Sequence, residues 1–325
     1  MALQFILGPS GAGKSEYIYE DIIRRTMQDE RENVIVLVPE QYSLEIQRKL
    51  VQKHPRGGSF QIDVIGFNRL AYRIFDELHI KPKKVLEDFG KSMLLRKAAQ
   101  EHKEELSLYA GSMDKAGFID EAKSLMSEIY QYDIPRERLR EALQKLDDSE
   151  EARVLARKLQ DMLVIFDAFE EKKGQSFIVA EQMLELLTAA AEQSELIAGS
   201  EIVLDGFTGF TPIQLNLISV LLRRAKKVTI VLTIDAATYE KKHVAEHELF
   251  ALTKQTIEHL LLTAEQAHVV VEPALFLGKD GCKRWSKGHP LAHLEQNLFR
   301  YPYRVGKDEE QAITITAYDT PAQEL

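Results

Sequence analysis

The chain of 325 residues contains a single cysteine, Cys282. One thiol excludes an internal disulfide, and it cannot by itself build an iron–sulfur cluster or a multi-cysteine zinc site. That economy suits the cytoplasm, which is the expected location. Long apolar runs are also missing. None approaches the about 18 uninterrupted apolar residues that a membrane span requires, so no membrane partner is expected. The N-terminal Met-Ala-Leu-Gln has neither a basic region nor a small-residue cleavage site, so a secretory leader is not expected. Positive charge is in deficit, with 42 Lys+Arg against 51 Asp+Glu and a net charge of −9. This argues against a dedicated binder of duplex DNA, whose affinity comes mainly from phosphate neutralisation. It leaves room for a local cleft that holds a single strand.

What is present is ordinary for a globular protein: 45% hydrophobic and 29% charged residues, which rules out a disordered or collagen-like chain. The length predicts two domains, or one with a large insertion. Leu3–Leu7 reads as a buried strand, and Glu16–Met27 as a helix with Ile18, Ile22 and Ile23 on one face. Asn33–Val38 is a second strand stopped by Pro39, Leu44–Val51 a helix, and His54–Ser59 a loop. Gln61–Ile65 is a third strand, followed by a helix carrying Leu70, Ile74 and Phe75. This alternation predicts an α/β fold with a parallel sheet covered on both faces.

Residues 85–198 are rich in Glu, Lys, Leu and Ala, with helical spacing broken at Pro135 and Gly174, and read as a helical insertion. The sheet pattern returns with strands at Glu201–Leu204 and Val228–Ile234 around a helix at Pro212–Arg224. A helix is expected over Val244–Leu262, a short strand at His268–Val271, a loop over Gly278–Lys287 and a last strand at Ala312–Tyr318. The tail from Asp319 to Leu325 reads as a helix cut short, as in a piece of a longer protein. The expected division is a core of residues 1–84 and 199–275, an insertion of residues 85–198, and a connector with the start of a second core domain over residues 276–325.

The strongest chemical signal is Gly8-Pro-Ser10-Gly11-Ala-Gly13-Lys14-Ser15, which fits G-x-x-x-x-G-K-[ST] between a strand and a helix. Glycines let backbone N–H groups converge on phosphate oxygens, and the helix N-terminus adds positive potential. Lys14 would reach the outer phosphates of ATP and Ser15 would hold Mg²⁺. A second signal is Ile202-Val-Leu-Asp205-Gly206, an apolar strand ending in an acid. Asp205 would bind Mg²⁺ through water, unless Asp-Gly is a plain strand-end turn. The next residue is Gly206, where a hydrolysing helicase carries a glutamate to polarise the attacking water. Loss of a general base costs about 10²–10⁴ in rate, so slow or absent hydrolysis is expected.

Three segments follow strands and should line one cleft at their carboxyl ends: Pro39–Ser43, Gly66–Tyr72 and Phe207–Pro212. In them Phe67, Tyr72 and Phe210 could stack bases, Arg69 could pair with phosphate, and Gln41 and Ser43 could hydrogen-bond. By residue type alone, the favoured reading of Phe67 and Tyr72 is as packing residues of an amphipathic helix. His243 and His247 share a helix face but lack the H-E-x-x-H order, and Cys282, His289 and His293 lack a metal-ligand spacing. Both groups read as structural.

The order of these motifs resembles the N-terminal part of the AddB family, the second subunits of bacterial AddAB helicase–nucleases. The residues that carry it are Gly8–Ser15, Val38-Pro-Glu-Gln41, Gly66-Phe-Asn-Arg-Leu-Ala-Tyr72, Leu204-Asp-Gly-Phe-Thr-Gly-Phe-Thr-Pro212 and the late Ile-Thr-Ala-Tyr-Asp. The resemblance spans essentially the whole chain. It implies a P-loop NTPase of superfamily 1 helicase type, with a RecA-like sheet and a helical insertion subdomain. It implies ATP and Mg²⁺ as ligands, an AddA-type partner in a heterodimer, and single-stranded DNA threaded through inactivated helicase domains that scan for Chi during double-strand-break processing. It places the nuclease domain and its iron–sulfur cluster downstream of this chain. The strand-reading role falls on Gln41, Ser43, Phe67, Arg69, Tyr72 and Phe210. Two other readings start from the same loop. One is a small-molecule or nucleotide kinase whose lid would use Arg136, Arg138 and Arg140. The other is a structural partner module with a vestigial nucleotide site.

Overall fold

A computed structural model describes the whole chain except residues 30, 82, 114, 148, 175, 279–282, 287, 300, 308–310 and 325. Cys282 therefore lies outside the described residues. Strand β1 (Ala2–Gly8), helix α1 (Lys14–Gln28), β2 (Asn33–Leu37), α2 (Ser43–Lys53), β3 (Ile62–Ile65) and α3 (Phe67–Glu77) alternate along the first part of the chain. A small parallel pair, β4 (Lys84–Val85) with β5 (Phe177–Ile178), brackets helices α4 (Asp88–Glu101), α5 (Ala116–Gln131), α6 (Arg136–Gln144) and α7 (Glu150–Lys173). Then follow α8 (Ala180–Ala191), α9 (Glu195–Ala198), β6 (Ser200–Leu204), α10 (Pro212–Arg224), β7 (Lys227–Thr233), α11 (Ala236–Glu240), α12 (Ala251–Gln266), β8 (Val270–Val271), β9 (Leu275–Phe276), α13 (Pro290–Asn297) and α14 (Pro321–Glu324).

The main sheet has the order β3–β2–β6–β7–β1–β8, with β9 also on β1, and every pairing is parallel. The fold is thus α/β around a parallel sheet and is compatible with a RecA-like architecture. Alternation sorts each strand's side chains between two cores. Phe5, Ile35, Leu37, Ile202, Leu204, Ile230 and Leu232 face α3, α8, α10 and α12. Ile6, Val34, Val36, Val203 and Val231 face α1 and α2 through Ile18, Ile22, Ile23, Ile46 and Leu50. Burial on both faces explains why these strands read as continuous apolar runs. A third core, with Leu95, Met126, Ile165, Phe166 and Phe169, joins α4, α5 and α7. Helix α8 does not belong to that bundle: Met183 and Leu187 pack into the sheet-side core, and its Glu181 pairs with Lys91 of α4 at 3.0 Å across the two bodies.

Several expected boundaries move. The helix expected from Val244 begins only at Ala251, because residues 241–250 form turns instead. There Glu248 accepts from the Ala245 N–H at 3.1 Å and pairs with Lys241, a local arrangement that competes with helix. The strand expected at His268–Val271 shrinks to two residues, and a second two-residue strand, β9, shares the same edge of β1. Pro273 stands between them and has no N–H to give the ladder. The expected strand Ala312–Tyr318 is not a strand: residues 311–318 run without regular secondary structure, and Ile315 is 92% exposed. Alternating β-formers make a strand only beside a partner that supplies hydrogen bonds.

Candidate functional site

Residues 8–15 form a turn between β1 and α1, and its backbone demands glycine. Gly11 and Gly13 have φ of 72° and 84°, where a side chain is strained. At Gly8 the limit is space, because a Cβ would lie 2.5 Å from the Leu277 carbonyl oxygen. That oxygen comes from the end of β9, so the turn is clasped from the sheet edge. The clasp continues where the N–H groups of Lys283 and Arg284 donate to the Gly11 carbonyl at 3.0 and 3.2 Å. Lys14 folds its ammonium back on the turn, donating to the carbonyls of Gly8 and Pro9 at 2.9 Å each. Helix α1 starts at Lys14 with Gly13 as its N-cap and no capping side chain. Its first-turn N–H groups are therefore donors that an anion can satisfy. This cradle suits a phosphate chain. Ser10 is exposed at the rim, while Ser15 is half-buried in the first turn.

One turn beyond Ser15, on the same helix face, stands Tyr19. Its phenol donates to Asp205 Oδ2 at 2.6 Å, across 186 residues of sequence. This contact joins helix α1, which follows β1, to the end of β6, although β7 separates the two strands in the sheet. Asp205 is 5% exposed, and its Oδ1 accepts from the Gly206 N–H at 2.9 Å. Burial, with the Asp205 charge beside it, pushes the Tyr19 phenol far above the ordinary tyrosine range. Tyr19 therefore stays a donor in this contact. Sequence alone does not single out Tyr19. Its only signal is its i+4 spacing from Ser15, and aromatic residues at that spacing are usually core. Gly206 itself has a φ of 82°, and a Cβ there would lie 3.4 Å from Pro39 Cδ. The position next to Asp205 is thus shaped by its backbone for glycine.

The three strand-end segments meet at the carboxyl ends of adjacent strands β3, β2 and β6. Glu40, in the turn after β2, accepts through Oε1 from the Asn68 N–H at 3.0 Å, capping α3. Phe207 links the other two, lying 5.5 Å from Phe67 and 5.2 Å from Phe210, ring centre to ring centre. Phe67 and Phe210 are half-buried against the core, so both serve packing while keeping one edge outward. Phe207, to which residue type and spacing assign no role, is the hub of this trio. Gln41 and Arg69 are exposed, Tyr72 is half-exposed on α3, and Ser43 donates to the Glu40 carbonyl at 2.8 Å. The arrangement is an open shelf with aromatic edges, one guanidinium and amide groups, chemistry suited to an unpaired polynucleotide.

Other candidates carry less. Arg136 and Arg140 are both held by Asp167 of α7, at 2.7 and 2.6 Å, so two of the three arginines of the imagined kinase lid belong to the helical body. His243 and His247 are exposed in the turns before α12 rather than on a helix. His289 caps α13 by accepting from the Leu291 N–H. Among the described residues no group of three His, Cys, Asp or Glu side chains is placed to hold a metal, and no helix is long and apolar enough to cross a membrane.

Comparison with known proteins agrees with the motif order. The family described as "ADDB, N-terminal" matches residues 5–295. The chain is 38% identical over its whole length to the B subunit of the ATP-dependent helicase/deoxyribonuclease of Lachnoclostridium phytofermentans, of which it covers 28%. It is 33% identical over 97% of its length to the protein of the same name from Clostridium kluyveri, covering 27% of that chain. The match to the Clostridioides difficile counterpart is 31% over the full chain. The chain thus spans somewhat over a quarter of the length of these relatives.

Proposed function

This chain belongs to the AddB N-terminal family, and from that premise we propose that it is an ATP-binding, weakly hydrolysing, helicase-like module of the B subunit in a helicase–nuclease. In this reading ATP lies in the cradle of Gly8, Ser10, Gly11, Gly13, Lys14 and Ser15. Ser15 would hold Mg²⁺, and Asp205 would reach it through water. Single-stranded DNA runs along Gln41, Ser43, Phe67, Arg69, Tyr72 and Phe210, with Phe207 supporting the two rings. The whole protein would work with an AddA-type partner, in the cytoplasm, on double-strand-break ends and in Chi scanning. Nuclease and iron–sulfur chemistry would belong to the remainder of the longer proteins.

The observation that carries the reading is the Tyr19–Asp205 hydrogen bond. It ties helix α1, which begins at the glycine turn, to the acidic strand end, and so supports reading the two distant motifs as parts of one site. The left-handed Gly206 beside it supports weak hydrolysis, because no side chain extends from that position to polarise water. The Asp167 grip on Arg136 and Arg140 speaks against the kinase reading. The test is a titration of the chain with labelled ATP, beside an ATPase assay with and without single-stranded oligonucleotide. Saturable ATP binding, weakened about 10- to 100-fold in Lys14→Ala, is expected, as for loss of charge-assisted hydrogen bonds. Rapid, strand-stimulated turnover would overturn it, and so would ATP binding indifferent to Lys14→Ala.

A further inference from the structure

Asp205 is the acid that the nucleotide reading assigns to magnesium, yet both its oxygens already accept a hydrogen bond inside the protein. Oδ2 accepts from the Tyr19 phenol at 2.6 Å and Oδ1 from the Gly206 N–H at 2.9 Å. The tyrosine ring has little freedom to leave. It is 3% exposed and belongs to the core cluster that holds Ile18, Ile22, Val36 and Val203. It also sits one turn past Ser15, on the same face of α1. Magnesium is commonly held by phosphates, waters and one or two carboxylates. Among the described residues no group of three His, Cys, Asp or Glu side chains is placed to hold a metal.

We propose that Tyr19 is a positioning residue that latches Asp205, giving it internally the hydrogen bond a magnesium-bound water would give, so that this site holds nucleotide with little dependence on Mg²⁺. The inference rests on the ATP-binding part of the reading above and replaces its water bridge from Asp205 to Mg²⁺ with the Tyr19 contact. Two features then act together. Gly206 offers no group to polarise water, and Tyr19 takes up an acceptor position on the carboxylate that would steady a metal's hydration shell. A site built this way retains ATP as a bound ligand rather than turning it over. It also keeps the glycine turn and the β6 end joined whether or not nucleotide is present.

The test is calorimetric titration of the full chain with ATP, in excess Mg²⁺ and in EDTA, for the parent, Tyr19→Phe and the double variant Tyr19→Phe with Asp205→Asn. In the parent the two affinities should agree within about threefold. In Tyr19→Phe, freed Asp205 should let Mg²⁺ tighten ATP binding about tenfold, the scale of one hydrogen bond to a charged acceptor. The double variant should lose that gain, which a merely structural role for the ring would not produce. A tenfold effect of Mg²⁺ in the parent would overturn the latch, as would a folded Tyr19→Phe with the parent's response. If Tyr19→Phe does not fold, the parent's response alone decides. The two readings fail differently. Strong Mg²⁺ dependence with ATP binding lost in Lys14→Ala removes only the latch. A parent that binds no ATP in either condition removes the nucleotide reading and the latch with it.

Discussion

Glu40 fills the space in front of Gly66. A Cβ at residue 66 would lie 2.2 Å from the Glu40 carboxyl carbon, and the same carboxylate accepts from the Asn68 N–H at 3.0 Å. The turn after β2 therefore docks on the turn after β3 because residue 66 has no side chain. This fit sets the first turn of α3, and with it Phe67, Arg69 and Tyr72.

Gly66→Ala should push the Glu40 side chain out and leave the start of α3 uncapped. The expected cost is about 1 kcal/mol, the usual worth of a helix cap. Glu40→Ala should cost a similar amount, and the double variant should cost little more than either alone, since both remove the same contact. Urea denaturation of the four proteins checks the cycle. Simple additivity would show that the two positions are independent.

Restoring a glutamate after Asp205 should not restore an ATPase. Gly206 has a φ of 82°, so Gly206→Glu strains the backbone by about 1 kcal/mol or more and brings a Cβ against Pro39. The expected outcome is a lower melting temperature and no rise in phosphate release. A tenfold rise in turnover would mean that the missing acid, rather than the backbone, limits the site.

The shelf should divide into two behaviours. Arg69 is exposed, so Arg69→Ala should leave stability within about 0.5 kcal/mol while weakening single-strand binding and reducing its salt slope by about 0.7–1. Phe207 is the hub of three rings, so Phe207→Ala should cost about 2–4 kcal/mol and weaken binding indirectly, by releasing Phe67 and Phe210. Fluorescence anisotropy with a labelled oligonucleotide across a salt series, beside thermal melts, separates them. Equal stability loss in both variants would contradict the division.

The helical body should be acid-sensitive at Asp161. This carboxylate is 1% exposed and accepts from the backbone N–H groups of Ser107, Leu108 and Tyr109 at 2.8–2.9 Å. Burial raises its pKa, but those N–H groups outweigh burial and hold it below the usual aspartate value. A depressed folded value means that the stabilisation is fully present above the unfolded pKa of about 4 and is lost as pH falls through the folded value. Asp161→Asn should cost about 2 kcal/mol at neutral pH and flatten the acid-side loss. Denaturation midpoints from neutral to acidic pH for both proteins give the comparison; parallel profiles would remove Asp161 as the cause.

The glycine turn, the strands around it and the acid at the end of β6 are legible in the sequence because their signals are local. Gly8 and Gly13 sit at turn positions that the G-x-x-x-x-G-K-[ST] spacing marks, with Gly11 between them, and Ile202–Asp205 is an apolar run with a polar end. The partly exposed edge is harder to read. A two-residue strand such as β9 has no periodicity, and the run 312–318 alternates like a strand without forming one. Phe207 and Tyr19 escape notice for a different reason. An aromatic residue on an amphipathic stretch looks the same whether it fills a core or orders a site, and only its neighbours tell which.

The sequence by itself determined the family, the parallel α/β pattern and the position of the glycine turn, since composition, period and motif spacing are properties of consecutive residues. Tertiary structure decided that β6 ends within reach of α1, that Glu40 seats on Gly66, and that the Asp205 carboxylate already has a phenol for company. Those outcomes depend on strand order and on which side chains exclude one another in a close-packed interior, and neither is written in the spacing of any single segment.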